Sequence, residues 1–487
     1  MPKCDELTSR EANWSSLRVG VLGLGVAGFA AVDALMQLGA DVSIVDSAAT
    51  DPVNERAEIL GSLGAHTFIG AAELPSEDFD VVVTYPGLPP GHVFHRQAAL
   101  ANVPIWGELE LAWRIRPKSG AAPWLCVTGT NGKTTTTLML DSILRASGFR
   151  SEAAGNIGHS LVGVVMHDEL DVIAVEVGAP QLPFIHTVSS WASVCLNLAP
   201  DHVDHFGAFD RYTKAKARIY ERTQYAAVYN GHDEATISMV EAADVIEGCR
   251  AIGFTRGIPA LSELGVVDNA LVDRAFIANR MDYAQELALV SDIHPAAKHN
   301  IENALAAAAV ARAFGTLDSP DLNRVSPTAV QLGFRNFAPA PHRNAVVASV
   351  DGVTYVDDSK ATNAHAADTS LSSYPSVIWI AGGLAKGQDF GELVLTHAHR
   401  IKLAILLGSD AQLIAETLTR HAPNVPVITL ATRDTSAMSE AVQIARERAE
   451  SGDTVLLAPG CPSWDMFTDY SQRGDLFASA VQDGLID

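Results

Sequence analysis

A chain of 487 residues carries a prior of about three domains, and an apolar content of 48% is enough to build a core in each. Its formal net charge of −23 excludes a basic nucleic-acid or anionic-membrane surface, so an anionic substrate must be held by a few focused cations. Five cysteines without a C-x-x-C pair speak against a zinc site and for a reducing compartment, and no apolar run approaches the ~20 residues that span a bilayer.

Leu17 to Leu22 is predicted as a strand that runs into Gly23-Leu24-Gly25-Val26-Ala27-Gly28 and then a helix. A second strand, Asp41 to Val45, ends at Asp46. G-x-G-x-x-G with an acid at the end of the next strand is the dinucleotide fingerprint. The helix N-terminus recognises the diphosphate and not the nicotinamide, so nicotinamide, flavin and any nucleotide diphosphate stay open. Strands at Asp80 to Tyr85 and Val103 to Trp106 complete a small α/β domain, residues 1–118, that ends near a Pro117 to Pro123 linker.

The second domain, residues 119–335, opens on Trp124 to Thr137, WLCVTGTNGKTTTT. A short apolar strand stops at Gly129-Thr130-Asn131-Gly132-Lys133-Thr134, and a helical pattern follows. Backbone N–H groups and a helix N-terminus can cradle phosphates there, Lys133 adds a point charge, and the Thr134 hydroxyl can bind magnesium. The loop departs from G-x-x-x-x-G-K-[ST], because Val127 stands where the first glycine would be. The bland alternative is a glycine turn with a surface lysine. Downstream lie Gly155-Asn156-Ile157-Gly158 and the strand Asp171 to Val177, whose Glu176 is costly inside an apolar strand unless paired or metal-bound. A salt-bridged structural acid is the competing reading.

Next, Pro200-Asp201-His202-Val203-Asp204-His205 gathers carboxylates and imidazoles, and beside a triphosphate loop His202 is assigned to magnesium or a transferring phosphoryl group. In YTKAKARIYER, Lys214 and Arg218 share one helical face and Lys216 with Tyr220 another, which composition alone makes a solvated helix. Asn230 to Ser291 is irregular in pattern. Lys298 begins an alanine-rich helix in which Asn300 and Asn303, one turn apart, can face a common ligand.

A Gly- and Pro-containing linker near Gln331 to Pro341 leads to the third domain, residues 336–487. There a hairpin, Ala345 to Val350 and Val353 to Val356, precedes Asp357-Asp358-Ser359-Lys360-Ala361-Thr362-Asn363. Further strands end at Gly382-Gly383, Gly408-Ser409 and Ala458-Pro459-Gly460-Cys461-Pro462-Ser463, with polar loops where a doubly wound sheet binds ligands. Ser463 lacks the flanking glycines of a nucleophile elbow. The fold class is therefore α/β in three domains: a Rossmann-like start, a central P-loop ATPase-type domain and a C-terminal Rossmann-like domain.

GTNGKT, GNIG, the Asp201-His202 loop, KARIYE, HNIENALAA, Pro341-His342-Arg343 and DDSKATN stand in one order along the chain. Together they resemble the Mur ligase superfamily, and the Rossmann-type start with DSKATN resembles its D-glutamate-adding branch. The resemblance implies a cytoplasmic, ATP-dependent ligase that joins D-glutamate to UDP-N-acetylmuramoyl-L-alanine through an acyl phosphate in peptidoglycan precursor synthesis. It implies a monomer with no nucleic-acid partner and no membrane insertion.

Residue by residue, it places ATP on Gly129, Thr130, Asn131, Gly132, Lys133, Thr134 and Thr135, with Asn300, Asn303, Arg343 and Asp358. It places one Mg2+ on Thr134 and Glu176, and a second on His202 and a carbamylated Lys216. The UDP substrate falls to Gly25, Val26, Ala27, Asp46, Ser47 and Asn156. D-glutamate falls to Lys360, Thr362, Lys386, Ser463 and Tyr470. Lys133, His202 and Lys216 would be catalytic. Where the family has E-[LV]-S-S-F-Q-L, this chain has Glu176-Val177-Gly178-Ala179-Pro180-Gln181-Leu182, so two hydroxyls and a ring are lost beside the metal acid. Leu384, where some members carry an acid, has no assigned role. The folate-glutamating branch lacks the N-terminal Rossmann-like domain. A nicotinamide dehydrogenase fused to an ATPase, and a catalytically dead nucleotide-sugar binder, are the alternatives from other classes.

Overall fold

A computed structural model of the chain describes residues 2–75, 78–167, 169–201, 203–314 and 325–483. The chain forms two compact units, Met1–Phe337 and Ala338–Asp487. Among the described residues the first unit carries two sheets and the second carries one.

The first sheet is built from β1 (Arg18–Leu22), β2 (Asp41–Asp46), β3 (His66–Ile69), β4 (Val81–Thr84) and β5 (Ile105–Gly107), in the order β3-β2-β1-β4-β5. All its pairings are parallel. Val81–Thr84 is buried on both faces, which is why its sequence is a continuous β-branched run and not an alternation. The order reverses at β1, which opens a crevice above its carboxyl end.

The second sheet contains β6 (Trp124–Thr128), β7 (Ser151–Gly155), β8 (Val172–Glu176), β9 (Ala192–Cys195), β10 (Ala226–Asn230), β11 (Arg250–Phe254), β12 (Glu263–Val267), β13 (Ala270–Asp273) and β14 (Gln285–Leu289). Their order is β14-β13-β12-β11-β10-β9-β6-β8-β7, so β6 lies between β8 and β9, parallel to both, at the point where the chain changes direction across the sheet. The stretch from Asn230 to Ser291, irregular in sequence, supplies β11 to β14, and the last two pairings are antiparallel. Hairpin strands this short offer too few alternating positions for a period to show.

Helix Lys298–Arg312 packs across the second sheet, with every residue from Ala304 to Ala311 buried. Alanine there leaves room for a close approach to the helix Lys133–Ala146 and costs no side-chain entropy. The linker expected near Gln331 to Pro341 is corrected in its first half: Pro327–Asn336 is a helix, capped by Ser326, whose hydroxyl accepts from the Ala329 N–H at 3.2 Å. Gly333 is there for packing. A Cβ on it would lie 2.6 Å from the Ile143 Cα, and its carbonyl accepts from Ser142 at 2.7 Å. The segment around Pro117 to Pro123 lies inside the first compact unit, where one apolar cluster draws residues from the first two sheets together.

The second unit holds β15 (Ala345–Val350), β16 (Val353–Asp357), β17 (Val377–Gly382), β18 (Ile401–Leu407), β19 (Val427–Thr429) and β20 (Thr454–Leu457), ordered β15-β16-β20-β17-β18-β19. β15 and β16 form the expected hairpin, turning at Asp351 and Gly352 with φ of 52° and 79°. No helix among the described residues is long and apolar enough to cross a membrane.

Candidate active site

The loop after β6 is shaped by two glycines. Gly129 has φ 157° and a Cβ there would meet the Leu196 side chain at 2.9 Å; Gly132 has φ 82°, and its Cβ would stand 2.3 Å from Asn303 Oδ1. Asn303 in turn donates to Asn300 Oδ1 at 3.3 Å, and Asn300 donates to the Pro295 carbonyl at 3.1 Å. The two asparagines therefore share a face, as their spacing predicts, and that face abuts the phosphate loop. Asn197, at the end of β9, pins the loop from the other side: its Oδ1 accepts from the Asn131 N–H at 2.9 Å and its Nδ2 donates to the Asn131 carbonyl at 3.1 Å. The Thr130 hydroxyl meets Tyr212 Oη at 2.9 Å. Thr135, in the first turn of the helix, is half-buried.

Lys133 folds its amine back onto the loop, donating to the Gly129 and Thr130 carbonyls at 2.9 and 2.8 Å. A phosphate oxygen is a stronger partner for a full charge than either carbonyl. Beside it, Glu176 at the end of β8 is 2% exposed. Its Oε2 accepts from the Thr134 hydroxyl at 2.7 Å and its Oε1 from Asn156 Nδ2 at 2.9 Å. A hydroxyl and a carboxylate held together at a phosphate-loop helix are the oxygen donor set that magnesium prefers, and the residues present fit that ion. Asn156, expected on the substrate side, is thus held by the metal-side acid. A Cβ on Gly178 would press within 3.0 Å of Asn156 Oδ1, so the smaller residue at this position leaves the asparagine its place.

The solvated helix that composition alone gives does not describe Lys216. It is 1% exposed, whereas the Lys214 side chain two positions earlier is 75% exposed and pairs with Asp210. Lys216 Nζ donates to the Gly129 carbonyl at 2.7 Å and to Thr128 Oγ1 at 3.3 Å, which brings it under the same loop as Lys133. Burial first, and the Lys133 charge second, push its amine down to about 7. The helix expected from Tyr212 to Arg222 runs Phe209–Ala217 and then tightens at Arg218–Tyr220. His202 lies outside the described residues.

At the first sheet the glycine loop is different in kind. Gly23, with φ 86°, packs under the Tyr85 ring, and Gly28 lies so close to the Gly23 carbonyl that a Cβ would meet it at 1.9 Å. Gly25, Val26 and Ala27 form the helix start, Val26 is exposed, and Ser47 is exposed next to Asp46. Asp46 accepts from the Leu24 and Ala48 N–H groups at 2.7 and 2.8 Å. It thereby fixes both flanks of the crevice.

In the second unit the pairings of β16 with β20 and of β20 with β17 bring three loops to one edge. The first loop carries Lys360 and Thr362, the second Ser463, and the third Lys386. Arg473, not singled out in the sequence, ties two of them: its Nε and Nη2 donate to Ser359 Oγ and the Ser359 carbonyl at 2.9 and 2.7 Å, and its Nη1 to the Cys461 carbonyl at 3.0 Å. Ser463 is 2% exposed. The Lys360 amine lies 3.6 Å from the centre of the Tyr470 ring, and the Lys386 amine 4.5 Å from that of Trp464. Asp358, which accepts from the Asn344 N–H and from the Ser370 hydroxyl, has its carboxyl pushed up to about 6 by burial, with the Arg343 charge pulling the other way.

Thr128, Asn197, Tyr212 and Arg473 are the residues that sequence reasoning left without a role. For Thr128 and Asn197 the usable signal was position, since each lies at the carboxyl end of a strand beside the switch point. Tyr212 and Arg473 had no local signal.

Residues 127–311 match the Mur ligase middle domain, and residues 342–461 match the Mur ligase, glutamate ligase domain. The chain is 52% identical over 471 residues to the UDP-N-acetylmuramoylalanine–D-glutamate ligase of Streptomyces avermitilis, covering 96% of this chain and 99% of that one. Its fold is similar to that of MurF from Acinetobacter baumannii, with a TM-score of 0.58 and 16% identity over 96% of this chain and 93% of that one. It is also similar to a pseudomurein peptide ligase type C from Methanothermus fervidus, with a TM-score of 0.57 and 16% identity over 96% of this chain and 100% of that one.

Proposed function

The chain belongs to the Mur ligase family, in its UDP-N-acetylmuramoylalanine–D-glutamate ligase branch, and from that premise we propose how its own residues divide the work of ATP-dependent amide formation. The alanyl carboxylate of UDP-N-acetylmuramoyl-L-alanine attacks the γ-phosphorus of ATP, ADP leaves, and an acyl phosphate forms. The D-glutamate amine then attacks the carbonyl carbon, phosphate departs with the former carboxylate oxygen, and the amine loses a proton. Every partner in the first step is negatively charged, so the catalyst chiefly positions and neutralises.

Lys133 turns from the Gly129 and Thr130 carbonyls to the β and γ phosphates, while the glycine loop and the helix N-terminus supply N–H donors. Asn300 and Asn303 line the nucleotide side of that loop. Thr134 and Glu176 would hold one Mg2+; Lys216 as a carbamate, with His202, would hold a second. Magnesium bound there neutralises phosphate charge and polarises the transferring phosphoryl group. The carbamate is supported by burial. A fully buried ammonium next to Lys133 is repelled, and a neutral amine can add CO2, releasing a proton and becoming an anionic oxygen ligand. The first sheet holds the uridine diphosphate at Gly25, Val26, Ala27, Asp46 and Ser47, and Asn156 reaches the substrate from Glu176. Lys360, Thr362, Lys386, Ser463 and Tyr470 meet the two carboxylates of D-glutamate, while Arg343 and Asp358 serve the nucleotide.

The protein works as a monomer in the cytoplasm. Its charge of −23 opposes self-association, and its five cysteines are free. The observation that carries the whole reading is the juxtaposition of Lys133, Thr134, Glu176 and Lys216 around one phosphate loop. It is tested by following phosphate release from ATP with UDP-N-acetylmuramoyl-L-alanine and a panel of amino acids. Release with D-glutamate well above that with L-glutamate, D-aspartate or D-alanine is expected. Equal release with all of them would remove the assignment of the second-unit cations.

A further inference from the structure

At the opposite end of the second sheet from the phosphate loop lies a cavity of about 560 Å³, bordered by Trp124 and Ile173, which face each other at the amino ends of β6 and β8. Its position is about 13 Å of strand away from Thr128, so it is no part of the nucleotide site. Val164, Val165, Met166 and Leu170 make one wall apolar, and the charged residues of the lining are three arginines, Arg10, Arg116 and Arg150, with one acid, Glu169.

The three guanidiniums are not equivalent. Arg150 has its own acids, Asp171 at 3.0 Å and Glu169 at 3.5 Å. Among the described residues Arg116 has none: its Nε donates to the Trp113 carbonyl at 2.8 Å, its guanidinium is stacked over the Trp113 ring, and burial alone pulls it down to about 10. Arg10 donates to the carbonyls of Val165 and Met166 in the last turn of the helix Leu161–His167, and its buried Nε has no acceptor. Trp124, 1% exposed, also has its indole N–H buried without an acceptor. A helix cap and a stacked cation would explain the two arginines taken separately. They do not explain why a guanidinium without an acid borders a cavity of ligand size in a chain with so large an excess of acids.

We infer that this cavity binds a small amphipathic anion, a carboxylate or phosphate carried on a flat apolar group, with Arg116 meeting the charge and the Val164 to Leu170 wall meeting the ring. The anion supplies the counter-charge that Arg116 lacks. The ligand spans the connection between the first two sheets, at Ser119 and Ala122, and the helix Leu161–His167.

The test is fluorine-observed NMR on the full-length protein with saturating Mg-ADP, so that the phosphate loop is blocked. The probes are fluorophenyl phosphate, fluorobenzoate and the neutral fluorobenzyl alcohol. At least one of the two anions binds in the presence of ADP, about tenfold more tightly than the alcohol, and the preferred one identifies the phosphate or the carboxylate as the source. Arg116→Gln lowers that affinity about tenfold. Ser119→Trp, at the exposed rim, blocks entry and serves as the second variant if Arg116→Gln does not fold. Displacement by ADP, equal binding of the alcohol, absence of anion binding, or unchanged affinity in a folded variant of either kind would overturn the assignment.

Discussion

Two strand-glycine-helix junctions in this chain share a local grammar and differ in what surrounds them. After β1, the loop Gly23 to Gly28 offers backbone N–H groups and a helix start, and its only acid, Asp46, is used to hold the loop together. After β6, the loop Gly129 to Lys133 has a buried carboxylate, a buried lysine and a second lysine pressed against it. Backbone geometry is sufficient to recognise a diphosphate. Ionisable groups taken out of water at a cost are the mark of the junction where charge moves, because they are worth more in a low-dielectric site than in water.

The comparison breaks most sharply at Lys133. Lys133→Ala should lower ATP turnover by on the order of 10³-fold, with the thermal midpoint nearly unchanged, since the amine donates to carbonyls of its own loop. An unfolded variant would make the lysine structural, and retained turnover would move the triphosphate elsewhere.

Next in size is the contrast between two lysines on one helix. Lys216→Ala should lose on the order of 10²-fold in turnover and recover part of it with short carboxylic acids, whereas Lys214→Ala should be near the parent. Labelling with 13C-bicarbonate should give a carbamate resonance that is absent from Lys216→Ala. The label should rise as pH increases through about 7, where the buried amine loses its proton. The same shift has a stability sign. Between about 7 and the usual 10.5 the unfolded chain binds a proton that the folded, uncarbamylated chain does not, so CO2-free protein gains stability as pH rises across that window. Equal, small effects at both lysines would remove the carbamate.

The smallest effects come from the glycines themselves. Gly132→Ala should cost ~1–3 kcal/mol and weaken ATP binding, because its φ is 82° and its Cβ would strike Asn303. Gly25→Ala, with nothing within 4 Å of its Cβ, should change stability by less than about 0.5 kcal/mol and raise KM for the UDP substrate alone. Calorimetric melts with steady-state kinetics on both substrates would separate the two.

Much of this was legible in the sequence where a motif is local. The two glycine loops, the strand acid Glu176 and the Asn300–Asn303 pair could be placed because strand ends and helical spacing determine which groups are neighbours. Composition alone could not tell the burial of Lys216 from that of Lys214, since it is set by the distant loop at Gly129; the family resemblance was what singled it out. Gly333 looked like part of a linker because nothing local announces that Ile143 lies against it. Tyr212 and Arg473 act over 82 and 114 residues of chain, and such pairings belong to the fold and not to any window of sequence.

The most direct test of the account follows one oxygen atom. UDP-N-acetylmuramoyl-L-alanine labelled with 18O in the alanyl carboxylate, turned over with ATP and D-glutamate, should release phosphate carrying one 18O, because the carboxylate oxygen that attacks phosphorus leaves with it when the amine attacks carbon. Phosphate released without label, in step with product, would contradict the acyl phosphate and with it the role given to the phosphate-loop residues.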